Sequence, residues 1–326
     1  MTSDPDSKDT NEYTVRYDYD ELVERMPQVP PHVFIDVVSG VEADKYVYTS
    51  FLLAGADPRL VTLASGRRVL SLGITVEPML QGALLGRTLG QAKEEAKKSA
   101  FLLKRFSGRC LRLAQAGERV DFSVHARWIR ESWGLTAVMA TGSFGPIMEL
   151  PKVAWFQTAR EGEDRLWGKP QMLPMESDPL YQRPPLLDFM AIQNKLGLQD
   201  PEAVHLDAVL EIQPGQEIVT MRRVASGLSQ MRAHYPGMAV MAGAYLVEAA
   251  WQSLCILFDR PLCEPCPGHP LELSMNWNQP SIPGETLIIT SKMSDADTAL
   301  IEFTSARGDV AEIQMAGIDA ILRSGD

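Results

Sequence analysis

A chain of 326 residues is long for one small domain and right for two, so an internal repeat is expected. With 45% hydrophobic and 22% charged residues it has an ordinary globular composition, and its net charge of −11 argues against a nucleic-acid partner. No apolar run approaches the roughly 18–20 residues that span a bilayer, the N-terminus is polar rather than signal-like, and four cysteines without a framework point to the reducing cytoplasm.

Residues 1–15 are polar and are expected to form a disordered tail. A first unit, 16–157, opens with a helix and a proline-rich corner over Tyr19–Asp36. It continues through an apolar helix around Leu80–Gln91 and alternating strands within 108–155, such as Val120-Asp-Phe-Ser-Val-His-Ala. Residues 158–186, charged and rich in proline, read as a linker. A second unit, 187–326, repeats the opening at Leu187-Asp188 and carries Asp207 on its first strand. It closes with strands over 271–322. Asp20 pairs with Asp188, Gly82 with Gly243 and Gly117 with Gly284, at offsets of 168, 161 and 167 residues. A near-constant offset in unchanged order is the mark of duplication.

The chemistry concentrates in the second unit. His234-Tyr235-Pro236-Gly237 is followed by Gly243 and Glu248, the string H-x-P-G-x5-G-x4-E. A carboxyl sunk in an apolar helix keeps its proton and can donate it, and a histidine beside it can accept one near neutral pH. Gly243 opens the helix, where free backbone N–H groups stabilise an oxyanion. Base, acid and oxyanion donor together suit removal of an α-proton and loss of a β-hydroxyl. Tyr235, Pro236, Gly237 and Gln252 are the candidate substrate contacts. Cys263-x-x-Cys266 reads as a loop dithiol rather than a metal site, and no metal is expected. His32 and His205, near strand starts, read as structural, and His125 as a cross-sheet residue.

This string resembles the β-hydroxyacyl-ACP dehydratases of fatty-acid synthesis, the FabZ/FabA class of the hotdog fold. Leu206-Asp207 through Gly215 and Trp277-Asn-Gln-Pro280-Ser-Ile-Pro283-Gly284-Glu285 extend the resemblance on either side. It implies an α+β double hotdog, two antiparallel sheets each wrapped around a long helix, arranged as a pseudo-dimer. It further implies dehydration of a 3-hydroxyacyl thioester to the trans-2-enoyl thioester, in fatty-acid or polyketide-type biosynthesis. His234 would act at the α-carbon and Glu248 at the β-hydroxyl. No cofactor is implied beyond the phosphopantetheine arm of an acyl carrier protein. That acidic partner would need a basic patch, for which Lys104-Arg105 with Arg109, or Arg222-Arg223 with Arg232, are candidates.

The first unit departs from the pattern. Aligned on Gly82, its histidine position falls at Gly73 and its acid position at Arg87, which cannot donate a proton at neutral pH. In the dehydratases that the chain resembles, each site draws its histidine and its acid from different subunits. Strict inheritance would therefore leave neither site complete. Pairing with a second chain (a homodimer) or a separate hotdog subunit, a meeting of His234 and Glu248 within one unit, and loss of dehydration remain open. A hotdog thioesterase with Glu248 activating water, and a non-catalytic subunit that binds an acyl carrier or acyl chain, are the alternatives.

Overall fold

The computed structural model describes residues 16–159, 172–235, 239–266 and 268–322. In chain order the first copy contributes β1 (Val37–Glu42), β2 (Tyr46–Leu52), the ribbon β3 (Leu60–Thr62) and β4 (Arg68–Leu70), and the central helix Leu72–Gly90. Four long strands follow: β5 (Ser99–Cys110), β6 (Arg119–Arg130), β7 (Trp133–Gly142) and β8 (Gly145–Ala159). The second copy contributes β9 (Leu187–Asp188), β10 (Ala208–Gln213), β11 (Glu217–Arg223) and the central helix Gly243–Leu257. It ends with β12 (Leu271–Trp277), β13 (Thr286–Met293), β14 (Thr298–Ser305) and β15 (Gly308–Ala316).

Among the described residues thirteen of these strands form one sheet, in the order β1-β2-β6-β7-β8-β5-β12-β15-β14-β13-β11-β10-β9. Apart from short β9, the right half is the left half repeated in mirror order. The copies meet where β5 pairs antiparallel with β12, from Cys110 opposite Leu271 to Arg105 opposite Asn276. The strands alternate, as in β12, whose buried Leu271, Leu273, Met275 and Trp277 face inward with less buried residues between them. Each half of the sheet curls around its own helix, and the two helices pack on each other. This explains why every residue of Gly243–Leu257 is buried, and why Glu248 is the helix's one charged side chain. The crossing is close: a methyl group on Gly73 would lie 2.2 Å from the carbonyl oxygen of Ala244.

The duplication has a constant register that the glycine alignment missed. Asp36 and Asp207 each accept a backbone N–H, from Leu52 and from Arg223, 171 residues apart in both donor and acceptor. Both first strands carry an irregularity at the matching place, Val38/Gly40 and Val209/Glu211. The helices start at Leu72 and Gly243, again 171 apart, so Gly243 corresponds to Leu72 and not to Gly82. The opening helices are capped by Asp18 and Asp188, which replaces the Asp20 pairing. The third pair holds: Gly117 and Gly284 both have positive φ, and Glu118 and Glu285 after them each bind a buried arginine, Arg112 and Arg307.

Residues 1–15 and the 160–171 part of the expected linker lie outside the described residues. No helix among the described residues is long and apolar enough to cross a membrane.

Candidate active site

His234 ends the short helix Ser229–His234 and is buried. Its Nδ1 lies 3.1 Å from the carbonyl of Val240. A carbonyl only accepts, so Nδ1 carries the hydrogen and Nε2 is left as a bare acceptor. Burial and the nearby ring of His32 lower the His234 pKa to about 4, against the opposing pull of Glu77 and the Val240 bond. The imidazole is therefore neutral at physiological pH, the form a base requires.

The carboxylate that meets His234 belongs to the other copy. Glu77, one and a half turns into the first central helix, lies with His32 and His234 in a group whose donor atoms are all within 4.8 Å of one another. Glu77 Oε1 is 3.0 Å from His32 Nε2 and accepts a bond of 3.2 Å from the Gln81 amide. Gln81 in turn donates to the His32 carbonyl and accepts from the Phe34 N–H, which locks the corner 32–34 onto the helix. Burial would push the Glu77 carboxyl up. The His32 charge and hydrogen bond, with help from His234, outweigh it and hold Glu77 below the ordinary carboxylate range. His32 and Glu77 are both buried and satisfy each other directly through this hydrogen bond.

Tyr235 pins this arrangement across the seam. Its hydroxyl donates to the Phe101 carbonyl at 2.9 Å and accepts from the Phe101 N–H at 3.2 Å and from the Gln28 amide at 3.3 Å. Its ring also packs against that of His234. The loop of the second copy is thereby held against β5 of the first. Tyr235, expected as a substrate contact, occupies a positioning place.

His234, Glu77 and Gly243 line one cavity, walled by Leu80, Leu84, Leu103, Val153, Trp155 and Trp277. Gly243 opens its helix at this wall, with its N–H in the first turn, as the sequence implied. Leu103 and Trp277 also border a cleft of about 580 Å³ that carries Lys104, Trp133 and Gln279.

Glu248 is placed elsewhere. Its Oε2 accepts the Gly73 N–H at 2.8 Å, its Oε1 accepts from Gln252 at 3.1 Å, and Ser71 bonds to it as well. Burial raises its pKa, as the sequence suggested, but the structure does not bring it to His234. Of the possibilities left open by the sequence, a meeting of His234 with Glu248 within one copy is not the one the structure takes. Gln252 binds the Ala203 carbonyl and the His205 N–H, the same work that Gln81 does in the first copy. Pro236 and Gly237 lie outside the described residues. Arg87 stands ten residues beyond Glu77 and pairs with Asp44.

Of the basic patches, Arg222 is buried against the Val204 carbonyl and Arg223 pairs with Asp178, whereas Lys104 and Arg105 are exposed. Sequence reasoning overlooked Glu77 and Gln81 and read His32 as structural. The signal was present as the repeated E-x-x-x-Q at Glu77/Gln81 and Glu248/Gln252, at the offset of 171.

No family model matches the chain. A 3-hydroxyacyl-[acyl-carrier-protein] dehydratase FabZ of Polynucleobacter necessarius is 27% identical over 111 residues, which cover 32% of this chain and 74% of that protein. A coronafacic acid dehydratase of Pseudomonas savastanoi is 27% identical over 117 residues, covering 35% of this chain and 70% of that one. Among solved structures, the dehydratase domain from the CurF module of the curacin polyketide synthase aligns with a TM-score of 0.51 at 10% identity, over 88% of this chain and 96% of that one. A protein assigned as a thioesterase, from Novosphingobium aromaticivorans, aligns equally well, with a TM-score of 0.51 at 12% identity over 84% and 96% of the two chains. At such identities the structural likenesses establish the fold.

Proposed function

Taking the chain as a double hotdog of the FabZ-like dehydratase family, we propose that it dehydrates a 3-hydroxyacyl thioester, borne by an acyl carrier protein, at one site per chain. The observation that carries this reading is the convergence of His234 and Glu77, from different copies, on one cavity with an apolar wall. The neutral His234 Nε2 takes the α-proton, which the thioester carbonyl has already acidified. The Gly243 N–H, at the positive end of its helix, stabilises the enolate oxygen. Glu77 faces the β-hydroxyl, and Leu80, Leu84 and Trp155 line the path of the acyl chain. The carrier's arm enters by the cleft at Lys104, whose charge with that of Arg105 suits an acidic carrier. No organic cofactor or metal is required by this chemistry.

The meeting of His234 and Glu77 within one chain favours this reading over a non-catalytic subunit. The thioesterase reading keeps one observation in its favour: Glu77 is held ionised, the state that would activate water. Incubating the purified chain with 3-hydroxyacyl-carrier thioesters, followed by intact-mass analysis of the carrier, separates the two. Loss of one water from the carrier supports dehydration. Release of the acyl group as free acid supports hydrolysis, and no change on any substrate rejects both.

A further inference from the structure

His32 sits between two spaces. Glu77 and His234 line the apolar cavity. His32 instead lines a second cleft of mixed character, where Arg59, Ser71, Asp200, Glu202, His205 and Tyr245 supply the polar wall and Phe34, Leu60 and Val61 part of the apolar one. Its Nε2 nonetheless reaches Glu77 Oε1 at 3.0 Å, and its ring centre is 4.9 Å from that of His234. A residue that touches the acid and also borders the charged wall of this second cleft is placed to carry a proton to the acid without crossing the acyl path.

We propose that His32 is a positioning residue for this acid: it holds Glu77 through Nε2 and carries the proton that leaves with the substrate's β-hydroxyl, resupplied through the second cleft. The proposal rests on the dehydratase reading. In the forward step His234 Nε2 takes the α-proton, and the released electron pair forms the Cα–Cβ double bond as the Cβ–O bond breaks. The departing oxygen takes a proton by way of Glu77 from His32 and leaves as water. His234 then holds one proton more and the His32–Glu77 pair one fewer. With the three donor atoms within 4.8 Å of one another, the product water can return that proton and reset the site.

The groups facing His32 fit this role. On the cavity side stand Glu77 and the neutral His234. On the cleft side, His205 is kept neutral by burial and the Arg222 charge, Tyr245 is kept protonated by burial, and Arg59 is engaged with Asp57. Asp200 and Glu202 border the cleft and favour a cation within it.

The test is His32→Asn, since asparagine still offers an N–H to Glu77 but carries no proton. We expect kcat to fall on the order of 100-fold with KM nearly unchanged. The alkaline limb of the kcat–pH profile should move to lower pH, because a lone carboxyl then holds the proton. Full activity, or a loss with an unmoved alkaline limb, overturns the proposal. Nitrogen-15 NMR of the wild-type histidine rings at neutral pH is a second test, independent of the variant's folding. A doubly protonated His32 beside a neutral His234 is expected, and a neutral His32 overturns the proposal. Should the wild-type chain dehydrate no 3-hydroxyacyl thioester, the functional reading fails, and the NMR result alone decides the His32–Glu77 pair.

Discussion

The two buried glutamates, Glu77 and Glu248, hold the same place in the two copies and have opposite electrostatic fates. Each is bonded by the glutamine four residues on, and each sits at the crossing of the two central helices. Glu77 has two histidines beside it and is held ionised. Glu248 has the Gly73 N–H, Gln252 and Ser71, and burial pushes its pKa up against them. Their surroundings differ in shape as well. Where the first copy has Leu80 and Leu84 beside an open cavity, the second has Trp251 and Cys255, both fully buried, with the indole donating to the Cys263 carbonyl. Where the second copy has His234, the first has Leu63 at the matching position in the ribbon turn. One half keeps a histidine, a glutamate and a cavity together; in the other the histidine position is a leucine and the space is filled.

Substitution of the glutamates tests this contrast most sharply. Glu77→Gln and His234→Ala should each lower turnover by about 10²–10⁴-fold, the usual range for a lost proton-transfer group. Glu248→Gln should leave kcat close to wild type, as steady-state rates on one acyl-carrier substrate would reveal. Equal losses at both glutamates would erase the distinction drawn above.

Exchanging the cavity residues comes next. Leu80→Trp should fill the acyl path and abolish turnover of longer chains while the fold persists, which activity across a chain-length series would report. Trp251→Leu should cost roughly 2–4 kcal/mol of stability by opening a void in a packed core. Urea unfolding measures that cost, and turnover at a permissive temperature should be retained.

Acid titration separates the two sites by sign. The folded-state pKa of His234, about 4, is below its ordinary 6.5. Between these values the unfolded chain binds more protons, so stability falls as pH drops through this window and levels off below it. Glu248 acts oppositely: its raised pKa gives stability that is lost as pH rises above the ordinary carboxyl range. Denaturation midpoints against pH should therefore flatten between about 6.5 and 4 in His234→Ala. An unchanged curve would show that His234 is not held neutral by its surroundings.

The smallest effect is expected at the surface. Lys104→Glu with Arg105→Glu should raise KM for an acyl-carrier substrate by roughly 3- to 10-fold at low salt and leave KM for the free acyl-pantetheine thioester unchanged. Equal effects on both substrates would place carrier docking elsewhere.

The double hotdog was legible because its signals are local: the alternation in β12 and β13, the Gly284-Glu285 turn, and the apolar helix after Gly243. The working pair was not, because base and acid reside in different copies and no spacing within either copy encodes their meeting. The string around His234 places a carboxyl at Glu248, and that glutamate is indeed buried, with a raised pKa. Its partner, however, is a backbone N–H of the other helix. Anchoring the copies on glycine slid the first helix by ten residues and put Arg87 where Glu77 stands. Glycine is a poor anchor where no turn demands it; the Glu–Gln pairs, each fixed by hydrogen bonds of the glutamine to the corner that precedes the strand, were the better one.

The covalent joining of β5's copy to β12's copy has a consequence for inheritance. In a two-fold homodimer every substitution is made twice, so a tryptophan that plugs one tunnel plugs both. In a single chain each position mutates once. Trp251 could arise without touching Leu80, and Leu63 could stand without removing His234. The fusion frees one half of the molecule from the constraints on the other and lets it drift toward whatever shape best steadies its neighbour.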